Sequence, residues 1–159
     1  MEIAVHMEKV GRLEDLLGRL DPQDDFELYM WTCMTAGTQA LNAAMHALGV
    51  TEPGRLYPHQ IPGIYVEPEP VDGRWRLVMA APGDVIHLGL PPVARPVPAV
   101  LEEASGYLTA IEDLREVYVR GGEAIMPDVV ALCQAAYGDL MAILKPLIPN
   151  HAASGGGAP

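Results

Sequence analysis

Residues 28–51 read LYMWTCMTAGTQALNAAMHALGVT, a run without a single formal charge. At helical spacing this run has three sides. Met30, Cys33, Met34, Gly37, Leu41, Ala44, Met45 and Leu48 form a wide apolar stripe. Ala36, Ala40, Ala43 and Ala47 lie beside it as a strip of small residues, which lets another backbone approach closely. The remaining arc carries Thr32, Thr35, Thr38, Gln39, Asn42 and His46, all polar and none charged. A solvated helix face carries Lys and Glu, so this helix is expected to be central and covered on most sides. The run is also long enough to span a bilayer. Its amides and imidazole would be costly in lipid, however, and no Lys or Arg flanks it closely, which predicts a buried helix and no membrane span.

Working outward, Val10, Leu13, Leu16, Leu17 and Leu20 predict a short amphipathic helix over about 7–20. Asp21-Pro22 then reads as the N-cap and first residue of the central helix. Asp24, Asp25 and Glu27 fall in its first turns, where carboxylates favour the positive end of the helix dipole. Gly49 is expected to end it. Between 51 and 98 prolines and glycines crowd in and helical spacing stops. Ile64, Tyr65 and Val66 read as a strand that Pro68 and Pro70 keep at an edge. Val71-Asp72-Gly73-Arg74 signals a hairpin turn, and Trp75, Leu77 and Met79 alternate after it. Pro82-Gly83-Asp84 is a second turn, before an apolar run over 85–90.

A third helix is predicted over 99–119, with Leu101, Ala104, Leu108, Ile111 and Tyr118 on one face and Arg115 intruding into that apolar arc. Gly121-Gly122 closes it, Pro127 opens a fourth helix to about 144, and Pro146 stops that one. The expected fold is therefore mainly α: an antiparallel helical bundle of three long helices plus a short N-terminal one. A small β-hairpin or meander is inserted at about 57–92, between the second and third helices. One domain over 1–149 and a flexible Gly-rich tail over 150–159 complete the organisation.

The 159 residues carry 10 basic and 21 acidic side chains, a formal charge of −11, which argues against nucleic acid and anionic membrane as partners. Only two cysteines are present, a usage that suits a reducing cytoplasm, and the start lacks the basic and apolar regions of a secretory signal.

Several chemistries fail on motif. Ser105 lies mid-helix and Ser154 in the tail, neither in Gly-x-Ser-x-Gly. Neither phosphate-cradling glycine motif occurs, nor does the Glu-x-x-His of di-iron bundles, and no cofactor is expected. His59 and His87, near Glu67, Glu69 and Asp84, are the candidate metal ligands if the insertion folds over itself. Asn42 and His46, four apart and extended by Thr35, Thr38 and Gln39, are candidates to line a small-molecule pocket, with His46 suited to moving a proton. Tyr107 and Arg115 complete that candidate set. Arg115 is expected to pair with a carboxylate such as Asp139, or to anchor an anion.

Long helices around an apolar centre, interrupted by a proline-rich excursion, resemble the bundles of the higher eukaryotes and prokaryotes nucleotide-binding family. That family's ribonuclease members carry Arg-x4–6-His on a helix. The nearest pair here, Arg55 and His59, has a spacer of three and sits in a proline-bounded loop, so the resemblance implies no ribonuclease activity.

The leading functional expectation is a cytoplasmic, non-catalytic interaction protein that self-associates, most simply as a homodimer, because a short chain has difficulty covering the uncharged helix alone. The alternative is a small-molecule-binding protein or enzyme with its pocket between bundle and insertion, metal-dependent if His59 and His87 converge.

Overall fold

The computed structural model describes residues 1–51, 53, 60–61, 64–68, 75–77 and 97–149. The chain is mainly α-helical, with α1 at Ile3–Leu17, α2 at Phe26–Ala47, α3 at Ala99–Leu114 and α4 at Pro127–Leu144.

Helix α1 begins four residues ahead of the predicted start. Ile3 and Met7 pack against the core, and His6 and Val10 are buried, so the apolar stripe continues towards the N-terminus. Helix α2 starts a turn later than Asp21-Pro22 predicts. The Asp21 carboxylate accepts from the backbone N–H of Gln23 at 2.8 Å and of Asp24 at 3.0 Å, closing a separate turn ahead of the helix. Asp25, at φ −104° and ψ 26°, then turns the chain into α2. At the other end Gly49 adopts φ +67°, as predicted for a terminating glycine. Its N–H reaches the His46 carbonyl at 3.1 Å, while the Val50 N–H reaches that of Met45 at 2.9 Å. The pair satisfies two carbonyls that the helix end leaves open and reverses the chain.

The expected third helix is α only as far as Leu114. Residues Arg115–Arg120 continue it as a π-helical segment, in which the Gly121 N–H reaches back five residues to the Glu116 carbonyl at 2.9 Å. Helix α4 passes into a 3-10 turn at Lys145–Leu147, where Pro146 stops the α-helix.

Fifteen of the 22 residues of α2 are buried, among them Thr32, Asn42 and His46, and its exposed positions are confined to the first half. Its neighbours within the same chain provide this cover. Helix α1 packs along it, and α3 and α4 pack on each other and on its other sides. Met30, Leu41 and Met45 of α2 meet Leu108 and Ile111 of α3 and Leu140 and Leu144 of α4 in one apolar core, with Val10 added from α1. Gly37 lies where the side chains of Leu108 and Leu140 close over the α2 backbone.

Between α2 and α3 the backbone forms strands β1 at Gln60–Ile61, β2 at Ile64–Pro68 and β3 at Trp75–Leu77. β2 pairs antiparallel with both others, Ile61 opposite Ile64 and Val66 opposite Leu77. The rest of the segment at 57–92, and the tail from 150, lie outside the described residues.

Candidate functional site

The polar arc of α2 divides into two parts with different chemistry. In its first half the hydroxyls of Thr32, Thr35 and Thr38 donate to the carbonyls of Leu28, Trp31 and Met34, one turn back, at 2.7, 2.8 and 2.9 Å. These hydrogen bonds are internal to the helix, as Ser and Thr commonly make when they sit mid-helix. Thr35 is exposed and Thr38 half-buried.

In the second half the polar groups reach other elements. His6, from the first turns of α1, donates through Nδ1 to the Gln39 side-chain carbonyl at 2.8 Å. Its ring lies 5.4 Å from that of His46, centroid to centroid. The turn at Gly49 folds the chain back so that the Thr51 hydroxyl meets His46 Nδ1 at 2.6 Å. Asn42 lies one turn before His46, and His6, Asn42, His46 and Thr51 are all buried. Buried polar groups must be hydrogen-bonded to be tolerated, and here the bonds tie α1, α2 and the exit towards the insertion into one cluster.

Arg115 lies elsewhere. Its guanidinium sits 5.2 Å over the Trp31 ring and pairs with Glu112, with Glu116 at 3.8 Å. The expected pairing with Asp139 is therefore replaced by carboxylates on Arg115's own helical run, because the side chain lies down on α2 instead of crossing to α4. Its Nε is buried and has no hydrogen-bond partner. Trp31 and His46 are fifteen residues apart on one helix, about 22 Å along its axis, so Arg115 and the His46 cluster occupy different ends of the molecule. Tyr107, on α3, is half-buried at the margin of the core. Of the six candidate ligand-binding residues, the structure thus brings Asn42 and His46 into one buried cluster and sets Arg115 apart. Beside Trp31 an open groove of about 330 Å³ is lined by Asp24, Asp25, Glu27 and Leu28.

A second polar group, partly exposed, forms where α1 and α4 meet. Tyr137 of α4 points its hydroxyl at Glu14 of α1, 3.5 Å away, and Lys145 bonds the same carboxylate at 2.7 Å. Burial, and then the Glu14 charge, push the Tyr137 phenol above its ordinary value. Burial does the same to Tyr29 of α2.

Among the described residues no group of three His, Cys, Asp or Glu side chains is placed to hold a metal ion. His59 and His87 lie outside the described residues. His6 and Thr51 were not singled out from the sequence. His6 carried a legible signal, since positions 6, 10, 13 and 17 continue the α1 stripe. Trp31 as the platform for Arg115 carried none, because 84 positions separate them.

Comparison with protein families, with curated proteins and with solved structures finds no match to this chain.

Proposed function

We propose that this chain is a soluble, cytoplasmic, non-catalytic interaction protein, a four-helix bundle that pairs with a second copy of itself through the outer face of α4. Contacts along the helices support an alternating up-and-down bundle. Trp31 meets Arg115 and Gly37 meets Leu108, so α2 and α3 run in opposite directions. His6 at the start of α1 meets His46 at the end of α2, so these two also oppose. The paired strands at 60–61, 64–68 and 75–77 support a small antiparallel meander as part of the insertion.

The observation that carries the self-association is the character of α4. It is the one helix among the described residues long and apolar enough to cross a membrane by length and composition, yet only a third of that stretch is buried. Its inner side holds Val129, Cys133, Leu140 and Leu144, and its outer side exposes Ala131, Leu132, Ala135, Gly138 and Ala142, with Asp139 as the one charge among them. Leu132 is 61% exposed. Small residues on such a face permit close helix approach, and a two-fold axis near its middle would set Leu132 of each copy on the small residues of the other. The surface proposed here is α4 and not α2, because α2 is covered by its own chain.

Sedimentation equilibrium at micromolar concentration tests the reading. The wild-type chain is expected as a dimer and Leu132→Glu as a folded monomer. A wild-type chain that stays monomeric overturns it.

The buried His6–His46 pair favours a second reading, a small-molecule site where the bundle meets the insertion, with the metal-dependent variant through His59 and His87. Native mass spectrometry and elemental analysis of protein purified without chelator test it. A chain at its sequence mass, with no bound species and no stoichiometric metal, ends this reading.

A further inference from the structure

The exposed positions of α2 lie in its first half, and two of them are large and apolar: Leu28 is 50% exposed and Trp31 37%. They stand one turn apart and line the groove of about 330 Å³ together with Asp24, Asp25 and Glu27, all three exposed. The helix dipole explains carboxylates at the start of a helix, but it does not explain an open leucine and tryptophan beside them. Apolar side chains in a concave patch with a charged rim are the anatomy of a docking surface. The charge around this groove is one-sided. The two segments that meet at Trp31, 21–31 and 112–123, hold eight acidic and two basic side chains, a net −6 of the chain's −11. Both cations are engaged, Arg115 by Glu112 and Glu116, and Arg120 by Glu116. Among the described residues no cation pairs with Asp24, Asp25 or Glu27, although Asp25 accepts the Asp21 N–H at 3.0 Å. The Arg115 guanidinium already occupies one face of Trp31, at 5.2 Å, so a second cation on that face would meet like charge. In the groove the ring therefore offers apolar contact, and the carboxylates offer the charge.

We propose that this groove docks a basic amphipathic segment of a partner protein, anchored by lysine. The methylene stem of a lysine lies along Leu28 and Trp31 while its ammonium group reaches the carboxylates at the rim, since long cationic side chains bury their stems and keep their charge in polar surroundings. An apolar side chain one turn away on the same segment covers the rest of the two exposed residues. Charge complementarity selects this occupant. A bare cation gains nothing from the leucine and the tryptophan, a nucleic acid is repelled by the surrounding negative charge, and a groove this open does not enclose a small molecule. The surface belongs to the start of α2, so the proposal stands apart from self-association through α4.

The test uses the full-length chain and a short fluorescein-labelled peptide of lysine and leucine set at helical spacing, read by fluorescence anisotropy. Saturable binding is expected below about 1 mM, weakening as salt rises from about 20 to about 150 mM. Asp24→Asn combined with Glu27→Gln is expected to weaken it about three- to tenfold, and Leu28→Ser about fivefold. Glu102→Gln combined with Glu103→Gln removes the same charge from exposed positions on α3, about 18 Å along the helix from Arg115, and is expected to change the affinity by less than about twofold. The proposal is overturned if the peptide does not saturate, or if a lysine homopolymer of equal charge binds as tightly. It is equally overturned if the α3 control weakens binding as much as the groove variants, since attraction by net charge then suffices. Displacement by free lysine or tetramethylammonium at the concentration at which the peptide binds would show a small-cation site and also overturns it. The comparison of peptide with homopolymer is made on the wild-type chain, so it is decisive whether or not any variant folds.

Discussion

Gly37 and Leu140 stand so close that a Cβ built on the glycine would lie 2.5 Å from Leu140 Cδ2, with Leu108 Cδ2 at 2.8 Å. The missing side chain therefore belongs to the packing of α2 against both α3 and α4. Ala is the better helix former by about 1 kcal/mol, but overpacking a core costs about 1–3 kcal/mol, and two leucines must move together here. Gly37→Ala is expected to lower the urea midpoint. Gly11→Ala, where a Cβ meets nothing within 4 Å, is expected to raise stability by about 0.5–1 kcal/mol. A Gly37→Ala protein as stable as wild type would mean that the helices do not approach this closely.

Tyr137 makes the fold sensitive to alkali. Its phenol is raised by burial and by the Glu14 carboxylate, so the folded state keeps a proton that the unfolded chain gives up near pH 10. The stabilisation is complete below that value and is lost as pH rises through it towards the folded-state value. Stability measured from pH 8 to 11.5 is expected to fall at the alkaline end, and Tyr137→Phe is expected to flatten the fall. An unchanged slope in that variant would place the alkaline sensitivity elsewhere.

The Arg115–Trp31 contact lends itself to a double-mutant cycle. A guanidinium over an indole at a partly exposed site is worth about 0.5–1 kcal/mol. Arg115→Met and Trp31→Leu, singly and together, are expected to show a coupling of that size, and Arg115→Met is expected to change the tryptophan fluorescence. A coupling near zero would leave Arg115 held by the Glu112 and Glu116 carboxylates alone.

Two threonines separate internal from bridging hydrogen bonds. Thr51→Val removes a 2.6 Å bond to a buried imidazole and is expected to cost about 1–3 kcal/mol. Thr35→Val removes a bond within the exposed side of α2 and is expected to change stability by less than about 0.5 kcal/mol. Equal costs in thermal unfolding would deny the His46 cluster its role in tying α2 to the chain beyond it.

The helices were legible because their signals are local. Pro127, Gly49 and Gly121-Gly122 mark element ends by backbone geometry alone, and the buried residues Leu101, Ala104, Leu108 and Ile111 lie on the face that their spacing assigns. The late start of α2 was not legible. Asp21 is as good a cap for a single turn as for a helix, and only the path of the chain at Asp25 separates the two. The candidate site was half legible. Asn42 and His46 share a face by their spacing, but spacing places them equally well in a pocket wall or in a packed cluster.

What the amino-acid sequence determined by itself was which segments are helical, which face of each is apolar, and that the central helix requires cover. Those properties follow from a repeat of 3.6 residues and from side-chain polarity, both of which act over a few neighbouring positions. Tertiary structure alone decided that the cover comes from within the chain, that Arg115 lies on Trp31, and that His6 meets His46. These partners are 40 and 84 positions apart, and their meeting depends on how the helices cross and rotate against one another, which no local pattern encodes.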